Sequence, residues 1–158
     1  MSESEKKVLI GNFKVNGDVF VDGEVRGNII AGGDINVKNG VDGSLNAKGD
    51  IRVTGDVNGD LKAKGDASVT GSVSGSVNVD GDLKIGGSIG KNVKVKGDAV
   101  IGCADNWVEV GQSVSVDGDL IIFADIKKDL TVKGDLELHG TVGGKITCDG
   151  TITYTEGE

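Results

Sequence analysis

The sequence predicts an all-β fold, a single-stranded three-sided β-helix of 16-residue coils. Three observations predict it. First, Gly17, Gly33, Gly49, Gly65, Gly81 and Gly97 stand 16 residues apart, and Gly118, Gly134 and Gly150 resume that step after a break. Second, two further glycine columns run beside the first: Gly23, Gly55, Gly71 and Gly87, and Gly11, Gly27, Gly43, Gly59 and Gly75. Counted from Gly49 as position 1, the three columns fall at positions 1, 7 and 11, so each coil turns three corners. Third, apolar residues alternate with polar ones between the corners, and a period of two is the period of a strand. No stretch shows the 3.6 period of an amphipathic helix.

The elements follow in order. Residues 1–7, Met-Ser-Glu-Ser-Glu-Lys-Lys, form a short polar tail. The β-helix is expected over 8–154, with 155–158 as a C-terminal tail. Inward position 3 reads Val19, Ile35, Ile51, Ala67, Leu83, Ala99, Leu120, Leu136 and Ile152. Position 5 reads Val21, Val37, Val53, Val69, Ile85, Ile101, Ile122, Leu138 and Tyr154. Position 9 carries Leu9, Val25, Val41, Val57, Val73, Ile89, Ile126 and Val142, and positions 13 and 15 repeat the alternation, as in Leu61 and Ala63. Polar Arg52, Lys62, Ser68, Asn78, Lys84 and Lys94 point outward between them. A coil cannot bury its inner face alone, so stability comes from stacking coils about 4.8 Å apart. Glycine at the corners is expected where φ must be positive.

The unit 97–117 is 21 residues long, and its extra residues fall around 103–107, a loop or bulge at one corner. Beside it, outward sites turn apolar at Val100, Ile121 and Phe123. With Trp107 these make a candidate lateral contact. The competing reading is that the loop folds back and Trp107 covers its own neighbours.

Composition narrows the function. A net charge of −8 without a basic face argues against nucleic acid. The N-terminus lacks the apolar stretch of a signal peptide, and no segment is apolar over the roughly 20 residues of a membrane span. A cytoplasmic protein is the simplest expectation. Two cysteines, Cys103 and Cys148, give no disulfide framework. Cys148 takes an inward position and reads as a small core residue.

No catalytic, metal or cofactor site is expected. Asp18, Asp34, Asp50, Asp66, Asp82, Asp98, Asp119 and Asp135 each follow a corner glycine, where an Asp accepts backbone N–H bonds within its own turn. Lys48, Lys64, Lys96 and Lys133, just before the same corner, would offset their charge. A cation ladder is the alternative, but the nine-residue pattern of calcium-binding solenoids is missing. His139 is the single histidine. A left-handed hexapeptide acyltransferase would need a six-residue repeat throughout, whereas the corner spacing here is 6-4-6.

The ends are the expected working surfaces. The first coil starts in register at Val8, Leu9, Phe13 and Val15, and the last coil is still in register at Ile152 and Tyr154. Neither end shows a capping helix or a proline. Exposed strand edges over an apolar core predict end-to-end association of the chain with itself.

The blocks Gly55-Asp-Val-Asn-Gly-Asp-Leu61 and Gly71-Ser-Val-Ser-Gly-Ser-Val77, with the 16-residue spacing around them, make the chain resemble the bactofilins, bacterial polymer-forming cytoskeletal proteins. The resemblance covers about residues 8–154. It implies a right-handed three-sided β-helix and a filament that forms without nucleotide and serves other proteins as a scaffold. The Pro-rich flanks and the apolar N-terminal tail of that family are absent, which puts membrane association in doubt. The alternative function is a monomeric or dimeric binding or adhesin-like module acting through the 103–107 loop.

Overall fold

A computed structural model describes residues 8–155. Among these there is no helix; the chain is a succession of short strands, nearly all of two to four residues. Every pairing between named strands is parallel. The step is 16 residues, as in Leu61↔Val77 and Val77↔Val93. Three faces result. The first face carries positions 3 to 5 and stacks strands from Val19–Val21 to Ile152–Thr155. The third face carries positions 13 to 15 in nine strands, from Phe13–Val15 to Ile146–Cys148. The second face is narrower. After Val8–Ile10, Glu24–Arg26 and Val41–Asp42 it shrinks to single bridges such as Val57↔Val73 and Val73↔Ile89, and it widens again where Val108–Val110 pairs with the end of Leu120–Ile126. Only three residues lie between the corners on either side of position 9, which leaves room for one inward side chain.

The inward columns are the core. Ile51, Val53, Val57, Leu61 and Ala63 of one coil are all buried, and so are their counterparts above and below. Burying a large aliphatic side chain is worth about 1.5–3 kcal/mol. A coil therefore gains most of its stability from its two neighbours.

The corners work differently from the expectation. Among the described residues positive φ occurs only at Gly11, Gly27, Gly102 and Gly140. From Gly33 onward the glycines of the first corner are needed because of the coil before them. A Cβ on Gly65 would overlap the Asp50 carboxylate and press on the Gly49 backbone. That same carboxylate explains the aspartates. Asp50 Oδ1 accepts the N–H of Asp66 at 2.8 Å, and Asp66 Oδ1 accepts the N–H of Asp82 at 2.8 Å. The Asp does accept a backbone N–H, but from the next coil and not from its own turn. Gly-Asp is thus one device: the glycine clears the space that the previous aspartate fills.

Matching spines run up the other two corners. Asp56 Oδ1 accepts from Ser72 N–H and Ser72 Oγ from Ser88 N–H on one. Ser44 Oγ accepts from Asp60 N–H and Asp60 Oδ1 from Ser76 N–H on the other. The lysines do not neutralise the Asp column. Lys96 lies 3.7 Å from Asp80 and Lys133 lies 3.4 Å from Asp117, each in its own column one coil back. Among the described residues no ion pair joins Lys48 or Lys64 to a carboxylate. These pairs are half exposed and contribute little.

The long unit keeps register on both sides. Val93 pairs with Val114 and Ile89 bridges Val110, so the step there is 21 and returns to 16 at Val114↔Leu130. The excess is spent on a tight turn. Cys103 and Asn106 exchange both backbone hydrogen bonds, at 3.1 and 3.0 Å. Gly102 enters it with φ +74°, a conformation that favours glycine. Asn106 Nδ2 donates to Gly86 O at 2.7 Å and ties the turn to the coil before. The turn ends at Asn106, and the coil resumes after Trp107: Val108 pairs with Ala124, while Gly102, before the turn, lies against Phe123. One coil later Ala124 stands where a corner glycine is expected, and Leu120–Ile126 runs through as a single seven-residue strand.

Candidate functional site

Two kinds of surface stand out: the end coils and the face beside the inserted turn. At the N-terminal end, Val8, Leu9 and Val15 are exposed, and Phe13 is half-buried against the core. At the other end Ile152 is 50% exposed and Tyr154 53%. These six residues do not form one site; they divide between two ends of the stack. Position explains the exposure. Leu9, Phe13, Val15, Ile152 and Tyr154 occupy the inward columns, but each has a neighbouring coil on one side only.

Sequence reasoning missed several members of these surfaces. Val19 and Val21 complete the N-terminal end face, partly buried; Ile146, Cys148 and Val142 complete the other. Their column assignments were signal enough. Cys148 is only half-buried for the same reason, and its thiol donates to Gly134 O at 3.3 Å. Three outward apolar residues also crowd the first two coils: Ile10, Phe20 and Ile30. Lys38 Nζ sits 5.8 Å from the centre of the Phe20 ring.

The second surface is on the first face. Val100 and Ile121 are register partners on successive coils, both outward. Phe123 is outward two residues beyond Ile121, and its ring stacks on His139 at 4.3 Å, tilted by 12°. His139 Nε2 lies 2.7 Å from Glu137 Oε1. Trp107, one coil before Phe123, is 43% exposed, and Ile121 is 37% exposed. Register thus sets Val100 directly beside Ile121, with Phe123 two residues farther along the strand and Trp107 just before Val108, the partner of Ala124.

An open groove follows the Asp column on the same face, between Asp34, Asp50, Asp66, Asp82 and Asp98 and the outward residues Arg52, Ser68 and Lys84. One oxygen of each of these carboxylates is already engaged by a backbone N–H. Among the described residues no three His, Cys, Asp or Glu side chains are grouped to hold a metal ion. Among the described residues no helix is long and apolar enough to cross a membrane. No family model, curated protein or solved structure matches this chain.

Proposed function

We propose that this chain is a structural scaffold that associates end to end into nucleotide-independent filaments. The observation behind the proposal is the pair of end faces, where columns that are core everywhere else meet solvent. A second copy stacked there would bury Leu9, Phe13 and Val15, or Ile152 and Tyr154, as the middle coils bury Ile51 and Val53. It would also give partners to the N–H and C=O groups of the terminal strands, which point along the stack. Contact at both ends propagates into a filament. This is the role that the resemblance to bactofilins implies, that of a cytoskeletal polymer in the cytoplasm on which other proteins assemble.

Negative-stain electron microscopy of the wild type beside Phe13→Arg and Ile152→Lys tests it. Filaments in the wild type and short rods in both variants, with unchanged circular dichroism, are expected. Short rods in all three at every concentration and salt would overturn the proposal. A second reading, a binding module, rests on the exposed Trp107. It predicts a partner that is lost on Trp107→Ala and a wild type that stays as short rods.

A further inference from the structure

We infer that two copies pair side by side and antiparallel through the first face, centred on Val100 and Ile121. The inference concerns a different surface from the ends and holds whether or not the ends associate.

Column 4 of the first face carries it. Over four successive coils this outward column reads Lys84, Val100, Ile121, Glu137, each the direct register partner of the next. The order is cation, apolar, apolar, anion. Such a column is complementary to itself when reversed. A two-fold axis lying across the face, midway between Val100 and Ile121, sets Val100 on Ile121 of the second copy. The same axis sets Lys84 opposite the other copy's Glu137, twice. The neighbouring column obeys it too. It reads Gly86, Gly102, Phe123 and His139, so Phe123 and His139 each meet a glycine that offers no side chain, and the exposed Trp107 stands at the edge of the patch, just before Val108.

The charges are free to act in this way. Lys84 is exposed, and the Glu137 side chain is 44% exposed. Glu137 keeps His139 as its neighbour in the same chain, so Lys84 would join an existing polar pair. Elsewhere column 4 carries polar Asn36, Arg52 and Ser68, or Phe20 in the first coil, and has no such pattern. An isologous contact of this kind closes on two copies and does not propagate. The patch spans four coils of one face, well below the roughly 800 Å² per partner of a standard interface, so the pair is weak between single rods. It would gain by repetition along a polymer.

The test is a zero-length carbodiimide cross-link on an equal mixture of ¹⁴N- and ¹⁵N-labelled wild-type chain, read by mass spectrometry. Within one rod Lys84 and Glu137 are three coils, about 14 Å, apart and cannot be joined directly. The expected result is a Lys84–Glu137 peptide pair with mixed isotopes. It should fall at least tenfold in Trp107→Ala/Ile121→Asn and return, as a Glu–Lys link, in the exchanged variant Lys84→Glu/Glu137→Lys. Circular dichroism verifies that both variants stay folded. Absence of the mixed pair in the wild type while other surface pairs link, or its survival in Trp107→Ala/Ile121→Asn, would overturn the inference. Capture of some other protein by the patch without the mixed pair would overturn it as well.

Discussion

Val53 and Tyr154 occupy the same inward column, yet Val53 is 1% exposed and Tyr154 is 53% exposed. Nothing local accounts for the difference. Both lie on three- or four-residue parallel strands, both follow the same corner, and both sit above a regular coil. Val53 also has a coil above it, with Val69 as its register partner, whereas among the described residues Tyr154 pairs with Leu138 alone. Burial in this protein is a property of the neighbour more than of the residue. The middle is a core and the ends are surfaces made of the same residue types.

The sharpest way to break the middle is Val53→Asp, which leaves a charge in a column with no polar partner. We expect a loss of about 4 kcal/mol or more, seen as loss of the β-sheet signal in circular dichroism at room temperature. Val21→Asp, in the same column of the first coil, should be much milder, because Val21 is only half-buried. Equal losses at the two positions would erase the distinction between end and middle.

Two corner glycines give the next largest contrast. Gly65→Ala must push against the Asp50 carboxylate and the Gly49 backbone, whereas a Cβ on Gly17 meets nothing within 4 Å. Overpacking of that kind costs about 1–3 kcal/mol. Thermal melts should therefore separate Gly65→Ala from wild type and leave Gly17→Ala close to it.

Removing one rung of a spine comes third. Asp66→Ala deletes the acceptor for the N–H of Asp82, an exposed bond, at about 1 kcal/mol. Asp66→Asn keeps an acceptor oxygen and should recover most of that in chemical denaturation. Smallest on stability is Ile152→Lys, within about 0.5 kcal/mol because the site is exposed. Its effect should appear in assembly, so unchanged melting with lost filaments is the expected pairing of results.

Much of this architecture is legible in the sequence because a period is visible without knowing any contact. Glycine columns and alternation place the coils, the faces and every inward residue. The reasons behind the columns are harder to read. An Asp after a turn glycine looks the same whether it accepts a bond from its own turn or from the next coil. The parallel stack decides for Asp50, whose carboxylate accepts the N–H of Asp66 in the next coil. The glycine of that pair looks like a φ requirement and is a spatial one, for the same reason. A count of periods shows Ala124 in place of a corner glycine, but not that Leu120–Ile126 runs through that corner as one strand paired with Val108–Val110. The apolar patch near Trp107 shows in the sequence as a break in outward polarity, while the place of Trp107 depends on where the inserted turn closes, at Cys103–Asn106, which the 21-residue length alone does not give.

The turn at Cys103–Asn106 has a wider consequence. Five extra residues leave at one corner and the chain returns in phase, with Ile89 and Val110 aligned. Each coil therefore takes its alignment from contact with the one beneath it and does not inherit it by counting residues. Mutational insertions at corners are then tolerated heritable changes, and each is a place where such a rod can acquire a new appendage while its body stays the same.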